Sequence, residues 1–317
     1  HVNRISEANP KKKPVLVIDH HDSEETEDTS IMNFNPELYG LSGESEASGS
    51  TMAYVISRQI EASAQRFSAI ALIGSAELPG DLVGINLEVF KEAIKHDLAK
   101  LSKSGRGKSI QIRLGESWIN RHKASSILTA LGSVGYYRDG PLLATSSLLT
   151  GLSEATVQLA QKMELQRKAA FDSMLSTIRK KGLMKSGNLQ WVEVGSSFKG
   201  MGSKVIGTFL SILKYSKVVN PWKYLLGFME LEPTVPGLGM LKGTWTKVSG
   251  RVPPSLEALI NRGERQEISN IMMMAAEEVG GFADGHAYAA SGVIPRGSEE
   301  AFIRLLDESV SGSRTNS

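Results

Sequence analysis

The sequence predicts an α/β protein of two α/β domains joined by a long connector helix. Three observations carry this. Short β-branched apolar runs alternate with helix-period stretches along the whole chain. Residues 153–181 form the longest helical pattern and contain no Pro or Gly. The charge balance also changes near that helix: 161–251 holds 15 Lys/Arg against 5 Asp/Glu (+10), whereas 1–160 carries −3 and 252–317 carries −5. The expected division is 1–150 for the first domain, 151–182 for the connector and 183–317 for the second domain.

Taken in order, Pro14 to Ile18 (PVLVI) is expected to be a buried parallel strand ending at Asp19. Residues 23–30 are an acidic loop, and 33–49 are dense in turn formers. Ser48 to Ser50 should cap a helix over 51–66. Phe67 to Ile73 is a second buried run, taken as a strand ending at Gly74. A helix is expected over 86–102, a strand over 109–114 and a short helix over 125–131. Lys180 and Lys181 form a basic last turn of the connector, with Gly182 as its stop. Beyond it, strands are expected at 190–194, 243–250 and 292–294. Helices are expected within 200–216, 255–261, 267–278 and 297–309.

Composition narrows the function classes. With 41% hydrophobic and 22% charged residues, the 317-residue chain is globular rather than disordered. No apolar run reaches the ~18 residues of a membrane span. Val205–Met229 is interrupted by Lys214, Lys217, Lys223 and Pro221. The absence of Cys excludes disulfides, Cys-ligated zinc and a thiol nucleophile. No secretory signal opens the chain, so the expected compartment is the cytoplasm. The first residue is His1, which suggests a removed leader or a fragment whose true N-terminus lies upstream.

The most informative tetrapeptide is Asp19-His20-His21-Asp22, directly after the first strand. Functional groups gather at the carboxyl ends of strands in open α/β sheets, and imidazoles beside carboxylates suit Mn²⁺-type ions. The other reading is an N-cap Asp with two surface histidines. In Gly280–Gly292, small residues surround His286, and glycine amides such as that of Gly285 can cradle a phosphate. A tight packing corner with a buried histidine explains the same pattern. Lys247-Val248-Ser249-Gly250-Arg251 ends an alternating strand, where Arg251 can grip a phosphate or simply face solvent. Gly195 to Lys204 is glycine-rich before a helix, and Lys204 there can meet an anion or close a plain turn. Ser104 to Ser109 lacks the first glycine of a P-loop and reads as an exposed basic loop.

Strand-DHHD, then NFNPELYGLSGESEASGSTMAY, the connector, KVSGR and GFADGHAYAASGVIP occur in an order that resembles the DHH phosphoesterase superfamily. More narrowly, it is similar to the archaeal RecJ-like single-strand exonuclease branch. The resemblance runs over about 14–310 and implies a DHH domain with a parallel sheet plus a DHH-associated C-terminal domain. It implies a nuclease with two divalent ions, Mn²⁺ or Mg²⁺, that cleaves phosphodiesters of single-stranded DNA or RNA in replication or repair. Asp19 and His20 would belong to the metal cluster, and His21 would face the scissile phosphate. Ser249, Arg251, Gly285, His286 and Lys204 would hold nucleic-acid phosphates.

Two departures qualify the match. The upstream Asp-x-Asp strand and a further lone Asp are absent, as in an N-terminally truncated chain with an incomplete active site. At Gly74-Ser75-Ala76-Glu77-Leu78 the family expects a metal-binding Asp; Glu77 lies near that place and Asp81 four residues on. The alternative function is a catalytically eroded replisome scaffold that binds the GINS complex and the replicative helicase. A phosphatase for oligonucleotides or cyclic dinucleotides ranks third.

Overall fold

The computed structural model describes residues 2–21, 25–78, 80–104 and 107–312. The chain divides into two compact units. One holds the described residues up to Thr129 together with Leu142–Ala160; the other holds Ala130–Pro141 and the described residues from Gln161 on.

The first unit opens with α1 (Val2–Ala8), β1 (Val15–Ile18) and β2 (Ile31–Phe34). The two strands pair in parallel, with Val15 opposite Ile31 and Ile18 opposite Phe34. They are followed by α2 (Gly49–Ile60), α3 (Ser68–Gly74) and α4 (Gly84–Lys95). A three-stranded antiparallel sheet comes next: β3 (Ala99–Ser104), β4 (Gly107–Leu114) and β5 (Ser117–Asn120), in that spatial order. Helices α5 (Arg121–Thr129) and α6 (Gly140–Thr150) follow; α7 (Glu154–Lys181) begins in this unit, and its residues from Gln161 on belong to the second. Leu72, Ile73, Val89, Phe90, Ile112 and Leu114 lead the core of this unit.

Five expectations change here. The first strand is parallel but not buried: Leu16 is 42% and its neighbour Met32 53% exposed, because a two-stranded sheet cannot cover both of its faces. The run 67–73 is helix α3, not a strand. Its small residues let it lie against α2, and a Cβ on Gly74 would sit 2.1 Å from Ser50 Oγ. The helix expected at 51–66 stops at Ile60, where Glu61 turns extended and caps a 3₁₀ turn over Ala62–Phe67. The helix expected at 86–102 stops at Lys95, because Asp97 adopts φ +54° and turns the chain into β3. The expected basic loop 104–109 is largely the β3–β4 hairpin; residues 105–106 lie outside the described residues.

The second unit contains β6 (Met184–Lys185), β7 (Leu189–Glu193), α8 (Lys204–Leu213), β8 (Tyr224–Glu230), β9 (Thr234–Val235), β10 (Gly239–Met240) and β11 (Trp245–Arg251). It continues with α9 (Pro254–Asn261), α10 (Ile268–Glu278), β12 (Phe282–His286), β13 (Ala289–Pro295) and α11 (Glu299–Gly312). Six strands form one sheet in the order β12-β13-β11-β8-β7-β6. Within it β7 and β8 run parallel, and the other neighbours are antiparallel. Ile268, Met272, Phe302 and Leu306 bury one sheet face. Helix α8 covers part of the other, with Ile206 and Leu210 next to Gly227 of β8. Phe171, Phe198 and Phe209 add an aromatic cluster with centroids 5.2–5.4 Å apart. No helix among the described residues is long and apolar enough to cross a membrane.

Candidate functional site

Strand β1 ends at Ile18 and delivers Asp19, His20 and His21 in one turn. The Asp19 amide still donates to Phe34 O, so the turn begins on the β ladder. Asp19 Oδ1 accepts from the His20 amide at 2.7 Å and lies 2.7 Å from His21 Nδ1. Burial pushes the Asp19 carboxyl upward, but these hydrogen bonds and the His21 ring outweigh it and hold the carboxyl well below the usual carboxylate range. Asp19 is therefore an anion at neutral pH. His20 Nδ1 lies 2.8 Å from the Gly43 carbonyl. A carbonyl only accepts, so Nδ1 carries the proton at this contact, as it does in histidines that ligate metals through Nε2.

The turn-rich segment after β2 holds this motif in place. Asn35, buried, donates from Nδ2 to His21 O and accepts the Glu37 amide. Glu37 accepts the Gly43 amide at 2.6 Å, which fixes the carbonyl that orients His20. A Cβ on Gly43 would fall 1.7 Å from His20 O, so only glycine fits. Asn86 of α4 ties down the far end of the segment: its Oδ1 accepts from Thr51 Oγ1 and the Ser48 amide, and its Nδ2 donates to Ser45 O. Sequence reasoning missed Asn35, Gly43 and Asn86 as positioning residues. Only the Asn-Pro dipeptide at 35–36 and the glycines hinted at them.

The expected metal set of Asp19, His20 and Glu77 is not gathered in this way. Glu77 ends a 3₁₀ turn after α3 and accepts from Thr129 Oγ1 at 3.3 Å. Among the described residues, no group of three or more His, Asp or Glu side chains is arranged to hold an ion. Asp19 and His20 suit a divalent ion in donor type, but two donors fall short of a coordination shell. Asp22 lies outside the described residues.

In the second unit, β11 alternates Lys247, Ser249 and Arg251 onto one face. Ser249 stands opposite Ser291, and Arg251 opposite Ala289, which in turn stands opposite His286. Arg251, Ala289 and His286 thus form one cross-strand row. Arg251 Nε donates to Ser211 Oγ at 2.9 Å, and Nη1 donates to the Gly250 carbonyl at 2.7 Å. No described carboxylate pairs with it, and burial lowers its pKa to about 10. Burial also lowers Lys247, partly offset by the nearby Asp284. A Cβ on Gly207 of α8 would lie 2.8 Å from Arg251 Nη2, so glycine there makes room for the guanidinium. This sheet face carries Lys247, Arg251 and Asp284, and no described carboxylate forms an ion pair with Arg251.

Gly285 projects to the opposite face, where a Cβ would meet Ala289 O at 2.3 Å. Strand contact, not ligand approach, requires that glycine. Lys204 is exposed at the start of α8, one turn before Gly207 on the same helical stripe. Ser211, which orients Arg251, was not singled out in the sequence.

No protein-family model matches the chain, and no curated protein matches it in sequence. Solved structures do match. The DHH domain of a member of a ribosomal-protein family superposes with a TM-score of 0.56 at 13% identity, over 98% of this chain and 66% of that one. RecJ from Thermus thermophilus, solved in complex with Mn²⁺, superposes with a TM-score of 0.57 at 15% identity, over 94% of this chain and 41% of that one. The chain therefore spans less than two thirds of either structure. At these identities the likeness is one of fold, and the motif order agrees with it: this chain has the fold of the DHH-domain proteins.

Proposed function

We propose that this chain serves a DHH-type phosphodiesterase acting on single-stranded DNA or RNA, in the manner of RecJ. Its first unit supplies part of a Mn²⁺ or Mg²⁺ site and its second unit supplies a phosphate grip. The observation that carries the reading is the state of the DHH turn: Asp19 held as an anion, and His20 held by Gly43 O with its proton on Nδ1. The Mn²⁺ in the RecJ structure supports the choice of ion. A divalent ion supplies Lewis-acid polarisation of a phosphoryl oxygen and an acidified water.

The chain's own residues have separate tasks. Asp19 offers carboxylate charge and keeps His21 Nδ1 occupied. Arg251, with Ser249 and His286 on the same sheet face, neutralises a strand phosphate. With two donors in place, no hydrolytic step is assigned to the described residues by themselves.

Mn²⁺ titration followed by NMR tests the reading. Mn²⁺ should broaden the His20 ring signals before those of His96 and His122, and His20→Ala should abolish the effect while strand binding persists. Broadening that ignores His20 overturns the metal assignment. If the chain then still binds single strands, the scaffold with GINS and the replicative helicase as partners replaces it. Robust Mn²⁺-dependent degradation by the chain alone overturns the incompleteness of its metal shell.

A further inference from the structure

The β3–β5 sheet of the first unit carries a surface that the DHH turn does not use. Its register places Lys100 opposite Gln111, Gln111 opposite Asn120, and Arg113 opposite Trp118. Opposed residues of antiparallel strands share a face, and Lys100 Nζ lies 3.8 Å from the Trp118 ring centroid, so these side chains stand together. The other face holds Ala99, Ile112 and Leu114 in the core. Residues 99–114 include Lys100, Lys103, Arg106, Lys108 and Arg113 and no acidic residue. Lys100 and Arg113 are exposed on the Trp118 face, whereas Lys103 and Lys108, also exposed, stand opposite each other on the other face. Arg113 pairs with Asp97 at 3.5 Å, in a solvent-exposed pair that holds it only weakly.

A sheet face that sets an indole among cations and amides suits one kind of occupant. Cations meet phosphates, the partly exposed indole can stack a base on the ring face that Lys100 does not cover, and the Gln111 and Asn120 amides can hydrogen-bond base edges. We propose that the Lys100–Arg113–Trp118 face is a second contact surface for single-stranded nucleic acid, separate from the DHH turn. This rests on the reading that the chain handles single strands. The complementarity of charge selects the occupant: an acidic protein segment would use the cations but leave the indole and amides idle.

The test is fluorescence anisotropy of a labelled oligothymidylate with the full chain. Trp118→Ala should weaken binding about tenfold, and Trp118→Phe should restore most of it. Lys100→Gln with Arg113→Gln should weaken binding and flatten its salt dependence. Circular dichroism should show all three variants folded. Binding by the variants that equals the parent's overturns this surface but leaves the single-strand reading intact. No binding by the unaltered chain, with Arg251→Ala equally inert, means that the single-strand reading itself has failed. Loss of binding in Trp118→Ala that Phe does not restore means that the indole props up the sheet rather than stacking, and also overturns the proposal.

Discussion

Gly43 shows how a single residue without a side chain can govern a chemical group. Its carbonyl sets the His20 tautomer, and its missing Cβ leaves space for the His20 carbonyl. Gly43→Ala should therefore displace the DHH turn, lower thermal stability by about 2 kcal/mol through overpacking, and remove Mn²⁺ broadening at His20. Melting curves and the NMR titration read both effects. Arg251 makes the opposite bargain. Its folded pKa is depressed, so the unfolded state binds that proton more tightly. The charged guanidinium thus opposes folding at all pH values below about 10, and the penalty fades only as pH rises past that point. Arg251→Met should leave stability at neutral pH unchanged or raise it by up to about 1 kcal/mol, while weakening strand binding at least tenfold. A clear loss of stability in this variant would sink the idea that the guanidinium is kept for an anion. The DHH and KVSGR residues stood out in the sequence because their side chains carry chemistry. Asn35, Gly43 and Ser211 were not, because their roles exist only once distant segments meet.

At the scale of elements, the segment 35–49 shows why turn-rich sequence need not be slack. Asn35 caps its start and Asn86 anchors its end. Asn86→Ala removes three hydrogen bonds that tie the segment to α4 and should cost about 2 kcal/mol; urea denaturation measures it. Most helices of the second unit and the strands β7, β11 and β13 were readable from periodicity. Strand β8 was not, because a central strand buried on both faces (YLLGFME) has no alternation and continues an apolar stretch begun by α8. Helix α3 was misread for a related reason: seven apolar and small residues do not reveal whether the period is two or 3.6. Strand β12 was hidden by its composition, since a Phe-Ala-Asp-Gly-His run looks like a turn until pairing with β13 makes it an edge strand.

At the scale of the whole molecule, charge is unevenly spread: 161–251 carries +10 within a chain of net +2. Much of that charge lies on the unit that holds Arg251. Single-strand affinity should therefore fall about tenfold or more between roughly 50 and 200 mM salt, as expected for about three phosphate contacts. Isothermal titration at the two salt levels checks this, and an affinity indifferent to salt would contradict the phosphate grip. The two-domain α/β class and the order of motifs could be read from the sequence. The assembly of a metal shell could not, because ligands converge in space from segments whose spacing along the chain says little about distance.

The parallel pair β1–β2 carries a liability that reaches beyond catalysis. Its exposed Leu16 and Met32 lie beside backbone groups that, among the described residues, only the other strand of the pair engages as a sheet neighbour. Such a rim is a template onto which a foreign strand can zip. The same short ribbon that aims the histidines therefore makes the isolated chain prone to concentration-driven clumping. A charged replacement at position 16 would blunt that tendency without touching the turn that follows.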